Sequence, residues 1–250
     1  MAKQIGIIKI KGTIDGITFY TSKNQDLARK KGGASKERIA TEKEFQRTRE
    51  NSSEFGMATQ AGKLFRNALL GMIRTSSDYQ VTSRVAKLMT QIKDLDHNSI
   101  RGQRHVADGI KTPEGKAILQ GFNFNENAPL KNILLKNYTL DVISGQLDIT
   151  GLYPGKDVEI APGATHITIR SAWTKIDFGK DITKTEFSEV VTLPIEDIAH
   201  DVHLSFESAP SLTDAIGVFV LQILFWQELN GSMYFLNNTN HNCMEVIGVV

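Results

Sequence analysis

Residues 216–229 have the sequence IGVFVLQILFWQEL and contain most of the longest apolar stretch of the chain, residues 215–226. Aromatic and β-branched residues dominate the segment, which predicts a β-strand. Successive side chains of a strand point to opposite faces, and here both the even positions (Val218, Val220) and the odd positions (Phe219, Leu221) are apolar. The strand must therefore be covered on both sides. The cover is either a helical part of the same chain or another subunit.

Short strands are expected on both sides of this segment, because residues 111–250 combine alternating apolar residues with Gly, Pro and Asn at intervals. Asn230-Gly231 is the strongest turn signal, since a tight hairpin needs two positive φ angles. The pattern predicts an antiparallel β-sandwich of the Ig-like or jelly-roll-like kind. Its nine strands are expected at 133–142, 146–150, 157–160, 165–173, 186–193, 201–207, 216–229, 232–236 and 243–250.

Residues 41–110 predict an antiparallel helix pair. Thr41 and Glu44 fit a capping box, so a helix is expected to start there, either continuous or broken near Gly56. A second helix is expected after Ser76 or Ser77. Apolar residues at three- and four-residue spacing form one stripe on each helix. The stripes include Phe65, Leu69, Met72, Val85, Met89 and Ile92.

Residues 1–40 predict a β-hairpin arm. Asp15-Gly16 is a turn signal, and Gly32-Gly33 suits a hinge. Isoleucines in residues 5–10 favour an edge strand that could pair with a neighbouring copy, whereas 246–250 is expected to pair within the chain. The fold class is therefore α+β, in three parts: the arm (1–40), the helical hairpin (41–110) and the sandwich (111–250).

The charge of the chain is divided between its two halves. The 250 residues carry 29 basic and 28 acidic side chains, but residues 1–110 have a net charge of +9 and residues 111–250 one of −8. Opposed charges of this kind can be satisfied within a molecule or between copies, or the basic part can bind nucleic acid. The candidate basic patch consists of Arg29, Lys30, Lys31, Lys36, Arg38, Arg47 and Arg49, with Phe19 and Tyr20 as stacking groups.

Catalytic and metal-binding motifs are weak. Gly109 to Lys116 has five residues between its glycines, one more than a phosphate loop, and Ala117 stands where the magnesium-binding hydroxyl belongs. His200 and His203 would point to opposite faces of a strand. Cys243, the single cysteine, allows no internal disulfide and lacks the partners of a catalytic thiol. We expect no enzyme, and no catalytic residue, cofactor or metal.

Targeting signals are also weak, because the apolar run at residues 5–8 is shorter than a signal-peptide core and no segment reaches the ~20 residues of a membrane span. We expect synthesis in the cytoplasm without a Sec signal, with the product retained there or released as part of an assembly.

Several motifs carry a resemblance to a known family. KGTIDGITFY at 11–20, RKKGG at 29–33, RTREN at 47–51 and EFG at 54–56 resemble an uncharacterised protein family of Bacteroidota genomes. The resemblance implies a bacterial or phage-element origin, and it implies no activity, cofactor or catalytic residue.

The first functional hypothesis is a non-enzymatic structural subunit that self-associates into a ring, filament or phage-like particle, partly by strand exchange of the arm. A nucleic-acid-binding module and a sandwich domain that binds carbohydrate or a surface partner are the alternatives. The expected self-association residues are Ile5, Ile7, Ile8, Ile10, Phe19, Tyr20, Phe219, Leu221, Ile223 and Phe225.

Overall fold

A computed structural model of the chain describes residues 2–22, 24–30 and 32–250. Within these residues the fold is α+β, with eight α-helices and thirteen β-strands, as the sequence predicts. The chain divides into two compact units, residues 1–49 and 50–250. The helical part and the C-terminal sheets thus share one unit, and the boundary lies nine residues after the expected end of the arm. None of the described helices has both the length and the apolar character that a bilayer crossing requires.

The N-terminal unit is a small antiparallel sheet followed by a short helix. The elements are β1 (Ala2–Lys3), β2 (Gly12–Ile14), β3 (Ile17–Ser22), β4 (Gln25–Lys30), α1 (Lys36–Thr41) and a 3-10 turn (Lys43–Phe45). The strand order is β1-β4-β3-β2, and the β2–β3 hairpin turns at Asp15 (φ 46°) and Gly16 (φ 74°). This confirms the predicted turn, because both residues take positive φ angles.

The first long helix does not start at the expected capping box. Ser35 caps α1 by accepting a hydrogen bond from the Arg38 N–H, and Thr41 is the last residue of that helix. The Thr41 hydroxyl donates back to the carbonyl oxygen of Glu37, within the last turn of α1. The next helix runs without a break through Gly56. The helices that follow are α2 (Gln46–Ala68), α3 (Leu70–Ser76) and α4 (Val81–Lys93).

Helices α2 and α4 form the predicted antiparallel pair. Glu54, near the start of α2, contacts Lys93 at the end of α4, while Gly62 further along α2 lies beside Val85 and Met89. Ser76 ends α3, and α4 starts only at Val81, four residues after the expected cap. Four short helices complete the second unit: α5 (Val106–Gly109), α6 (Pro113–Leu119), α7 (Leu130–Ile133) and α8 (Pro154–Asp157).

The second unit contains two antiparallel sheets. The strands are β5 (Thr139–Leu140), β6 (Leu147–Leu152), β7 (His166–Asp177), β8 (Ile182–Phe187), β9 (Val191–Pro194), β10 (His200–Leu204), β11 (Ile216–Leu229), β12 (Ser232–Phe235) and β13 (Cys243–Val249). In the larger sheet, β11 and β7 pair at the centre. The other edge of β11 pairs with β12 and β13, and the other edge of β7 pairs with β8 and β9. The smaller sheet has the order β10-β6-β5.

The same chain covers both faces of β11. Val218 and Val220 face a core shared with Phe65 and Met72 of the helices. The opposite face, with Trp173 of β7, packs against β6 and β10 of the smaller sheet. Phe219, Leu221, Ile223 and Phe225 lie on that second face and are fully buried. They therefore cannot serve as an association surface, and of the two expected covers the intramolecular one is found.

One polar side chain fixes the helices to the sheet. Gln222 is fully buried in the middle of β11 and donates to the carbonyl oxygen of Met72 at 2.9 Å. It accepts from Nε of Arg170 on β7 at 2.6 Å, so both ends of the amide have partners. A buried amide is stable only when it is satisfied in this way. The glutamine thus positions α3 over the larger sheet.

Three predicted strands are wrong. The single strand expected at 186–193 is interrupted at residues 188–190, so it falls on the end of β8 and on most of β9. Residues 133–142 form the end of α7, a loop and the two-residue β5, because Pro129 precedes a helical turn whose Leu130 and Ile133 are buried. In 157–160, Val158 makes only an isolated bridge with Leu134. Apolar runs this short do not distinguish a strand from one buried helical turn. The predicted turn at Asn230 (φ 52°) and Gly231 (φ 78°) is confirmed, as is the pairing of β13 within the chain.

Candidate interaction surface on the N-terminal sheet

The N-terminal sheet has two different faces. Cross-strand pairing places Ile14 opposite Ile17 and places Phe19 opposite Ala28, which itself pairs with Ala2. Paired residues of a sheet point to the same side. These five residues form the apolar sheet face.

The apolar sheet face is left open by the described residues of 1–49. None of the described residues in 1–49 is buried, and Ile14 and Ile17 are about half exposed at 55% and 43%. An open depression of about 980 Å³ lies on this face. Its lining combines apolar side chains with the charged residues Asp15, Arg29 and Lys30. The depression is lined by Ala2, Asp15, Gly16, Ile17, Phe19, Ala28, Arg29 and Lys30.

The opposite face is more polar. The guanidinium of Arg29 lies over the ring of Tyr20, 5.2 Å from its centroid. The hydroxyls of Thr13 and Thr18 are 3.1 Å apart. Phe19 and Tyr20, both predicted as stacking groups, are neighbours on one strand and so lie on opposite faces. Only Phe19 belongs to the depression.

Residues 5–10 do not form the expected edge strand. Strand β1 ends at Lys3, and the Gln4 side chain then closes a loop by hydrogen bonds to the backbone of Ile10. The Gln4 amide takes the place of a neighbouring strand, because it bonds to both the N–H and the carbonyl oxygen of Ile10. We name residues 5–9 the isoleucine loop. Ile5, Ile7 and Ile8 in it are 91%, 101% and 84% exposed.

The structure divides the basic patch into residues with different roles. Arg38 pairs with Glu42 at 2.6 Å, and this hydrogen bond raises the pKa of Arg38. Arg49 donates to the carbonyl oxygens of Ile39 and Glu42 at 2.6 and 2.9 Å and so joins α1 to the start of α2. These two arginines have structural partners. Arg29, Lys30, Lys36 and Arg47 are exposed, and Lys31 lies outside the described residues.

One cluster in the second unit has ligand types that suit a metal ion. Atoms of Asp96, His105 and Asp108 lie within 4.8 Å of one another. The two histidine nitrogens, however, face different carboxylates: Nδ1 is 3.9 Å from Asp96 and Nε2 is 3.5 Å from Asp108. Asp96 also accepts from the backbone N–H groups of Asn98, Ser99 and His105.

Asp96 therefore has a structural role in closing the loop between α4 and α5. Burial raises the pKa of this carboxyl, but hydrogen bonds from Ser99, His105 and Asn98 outweigh burial and lower the pKa to about 2. The carboxylate stays charged and holds the three backbone groups together.

Cys243 is enclosed in the core between the two sheets. Its side chain is fully buried, and this burial raises the pKa of the thiol to about 12. A thiolate is the reactive form of cysteine, so the native thiol should be inert. We expect an aromatic disulfide reagent to label less than about 5% of the native protein at pH 8 and to label all of it in 6 M guanidinium chloride, measured by absorbance. Rapid native labelling would contradict the buried position.

The residues of the apolar sheet face were only partly predicted. Phe19 was included, but Ala2, Ile14, Ile17 and Ala28 were missed. The available signal was the two-residue Asp15-Gly16 turn, because it fixes the register that places Ile14 beside Ile17 and Gly12 beside Phe19.

Comparisons with protein-family models, with curated proteins and with solved structures give no match to this chain.

Proposed function

We propose that this protein is a structural subunit that self-associates into a ring, filament or phage-like particle, with the apolar sheet face as its contact with the next copy. The observation that carries the proposal is the apolar sheet face itself, which combines two large aliphatic residues and Phe19 around an open depression. A contiguous apolar patch on a protein surface usually marks an interaction site. Self-association would bury it.

The charges of the two units support a second copy as the partner. Residues 1–49 carry 12 basic and 5 acidic side chains, a net charge of +7, whereas residues 50–250 carry 17 and 23, a net charge of −6. A basic unit of one copy therefore attracts the acidic unit of another. Exposed ion pairs are screened by salt, so association should weaken as ionic strength rises while the apolar contribution persists.

The test compares two faces of the same sheet. Ile14→Thr/Ile17→Thr/Phe19→Thr keeps β-forming residues but removes the apolar sheet face. Full burial of a large apolar side chain is worth about 1.5–3 kcal/mol. Even partial burial of the three side chains contributes about 3 kcal/mol to the free energy of association. Losing this contribution raises the dissociation constant roughly 100-fold. We expect the wild type to form oligomers in sedimentation velocity experiments and this variant to be monomeric at the same concentration.

The matched control removes apolar groups from the opposite face. Tyr20→Thr/Leu27→Thr should assemble like the wild type, and circular dichroism should show that both variants remain folded. A wild type that stays monomeric up to about 100 μM would refute the proposal. Nucleic acid that co-purifies with the monomer, detected by its absorbance at 260 nm, would favour the nucleic-acid alternative instead.

A further inference from the structure

The isoleucine loop exposes three aliphatic side chains within four consecutive residues. Ile5, Ile7 and Ile8 are between 84% and 101% exposed, so they touch almost nothing in their own copy. Apolar surface of this extent is stabilised only when something removes it from water. The loop therefore gains stability when it leaves water against a second surface.

Hydrogen bonds hold the base of this loop in place. The Gln4 N–H donates to the carbonyl oxygen of Asp26, which anchors the loop to strand β4 at 2.8 Å. The Gln4 side chain accepts from the Ile10 N–H at 2.9 Å and donates to the Ile10 carbonyl oxygen at 3.1 Å. The ammonium of Lys9 donates to the Gln4 carbonyl oxygen. A loop fixed in this way loses less conformational entropy when it binds.

The charges next to the loop are positive. Residues 2–14 contain Lys3, Lys9 and Lys11 and no acidic residue, and all three lysines are exposed. The N-terminal unit as a whole, residues 1–49, has 12 basic and 5 acidic side chains and so a net charge of +7. The loop and its unit thus carry charge of the same sign, and an anionic surface complements both.

The carboxylates of the N-terminal sheet do not reverse this charge. Asp26 accepts from the Thr21 hydroxyl at 2.7 Å. Asp15 shares the lining of the depression with Arg29 and Lys30. Residues 2–30 carry six basic and two acidic side chains, a net charge of +4. The sheet therefore keeps its attraction for an anionic surface.

The residue types of this segment favour lipid over a protein or a nucleic acid. Protein interfaces are enriched in aromatic residues, Met and Arg and depleted in Lys. Residues 2–14 have three lysines and five isoleucines, and no aromatic residue, Met or Arg. Nucleic acid bases stack on aromatic rings, which this segment does not offer. Apolar side chains beside lysines are the combination that binds the interface of an anionic bilayer.

We infer that the isoleucine loop inserts into the interfacial layer of an anionic phospholipid bilayer. Its three isoleucines enter the boundary between headgroups and acyl chains, while Lys3 and Lys11 stay at the level of the lipid phosphates. The contact is peripheral, because the loop is far shorter than a membrane span. This inference goes beyond the proposed self-association and does not depend on it, since the loop and the apolar sheet face consist of different residues.

Sedimentation with vesicles tests the apolar and the charged contribution separately. Ile5→Ser/Ile7→Ser/Ile8→Ser, the loop variant, removes the aliphatic side chains, and Lys3→Gln/Lys11→Gln, the lysine variant, removes two charges. Neither change touches a buried residue. We expect the wild type to sediment with phosphatidylcholine vesicles that contain about one-third phosphatidylserine, and to bind at least about 10-fold more weakly to phosphatidylcholine alone.

Each variant should bind the anionic vesicles at least about 10-fold more weakly than the wild type. The matched control, Ile100→Ser/Ile143→Ser/Ile198→Ser, changes isoleucines that are 69%, 86% and 57% exposed in the second unit and should bind like the wild type. A loop variant that binds like the wild type overturns the inference, and so does a control that loses binding to the same degree. A lysine variant with unchanged binding overturns the role of anionic lipid.

A fluorescent label measures the insertion directly. Cys243 is fully buried, so a cysteine introduced on the surface is labelled selectively. Ile7→Cys with an environment-sensitive fluorophore should shift its emission to shorter wavelength on anionic vesicles, and a quencher attached to the acyl chains should reduce that emission. The same label on Ile143→Cys should not respond. An unshifted label at position 7 on protein that sediments with vesicles overturns the insertion.

Sedimentation velocity without lipid separates this inference from the proposed function. The loop variant should keep the oligomeric mass of the wild type, because its apolar sheet face is unchanged. Loss of that mass, in a protein whose wild type does not bind vesicles, would assign the loop to a contact between copies and overturn the inference while the proposed function stands. A wild type that shifts single-stranded DNA in electrophoresis but does not bind vesicles overturns the inference in favour of nucleic acid.

Discussion

Replacing Glu54 by alanine is expected to lower the free energy of unfolding of the second unit by about 3–5 kcal/mol. The Glu54 carboxylate is 2% exposed. One of its oxygens lies 2.7 Å from the ammonium of Lys93, and the other accepts from the N–H of Gly102 at 2.7 Å. Arg104 donates to both oxygens. Removal of the carboxylate deprives Lys93, which is 5% exposed, of its buried partner and leaves it the half-exposed Asp94 at 2.7 Å.

The same cluster predicts how stability depends on pH. The side-chain hydrogen bond from Arg104 lowers the pKa of Glu54 well below its usual range, against the opposing effect of burial, and Lys93 and Gly102 lower it further. A carboxyl whose pKa is depressed on folding stabilises the native state above its unfolded pKa of about 4.3, and this contribution is lost as the pH falls toward the folded value. The difference in unfolding free energy between wild type and Glu54→Gln should therefore shrink between pH 5 and pH 2.

Urea denaturation of wild type and variants at pH 7, 5 and 3 measures both effects. Asp197→Asn is the control, because Asp197 and Lys156 form an ion pair at 3.2 Å in which each side chain is 62% exposed. Such a pair contributes about 0–1 kcal/mol. A loss of less than 1 kcal/mol in Glu54→Ala would show that the cluster does not stabilise the fold.

Gly109→Ala should destabilise the protein by about 3 kcal/mol, at the upper end of the usual cost of overpacking. A Cβ atom at Gly109 would lie 1.9 Å from the carbonyl oxygen of Ile92. The carbonyl oxygen is a backbone atom and the backbone fixes the position of a Cβ atom, so no side-chain rotation relieves the clash. Helix α5 would have to move away from the end of α4, and this would open the core around Ile92 and Val106.

Gly56→Ala is the matched control and should change stability in the opposite direction. Gly56 lies inside α2, and a Cβ atom there would meet nothing within 4 Å. Alanine is favoured over glycine in a helix by about 1 kcal/mol. Thermal unfolding followed by circular dichroism should show a higher midpoint for Gly56→Ala and a lower one for Gly109→Ala. Equal midpoints would mean that α5 is not held against α4.

Local signals in the sequence predicted the features that depend on neighbouring residues. The limits of β11 at Ile216 and Leu229, the tight turns at Asp15-Gly16 and Asn230-Gly231, and the apolar stripes of α2 and α4 were all predicted. Side-chain periodicity and positive φ angles are properties of a few adjacent residues, so a single sequence contains them. Helix starts were less predictable. Threonine is a residue type that often caps a helix, but the Thr41 hydroxyl binds a carbonyl oxygen of the preceding turn instead.

The sequence by itself determined that β11 is buried on both faces, since apolar side chains at even and odd positions leave no face for water. Only the tertiary structure decided what covers it. The helices cover one face, where Gln222 donates to the carbonyl oxygen of Met72, and the smaller sheet covers the other. It also decided that residues 5–9 form a loop, because the Gln4 amide satisfies the Ile10 backbone that a strand neighbour would otherwise bind. Contacts between residues distant in the chain depend on the packing of whole elements, which the pattern of any one segment does not contain.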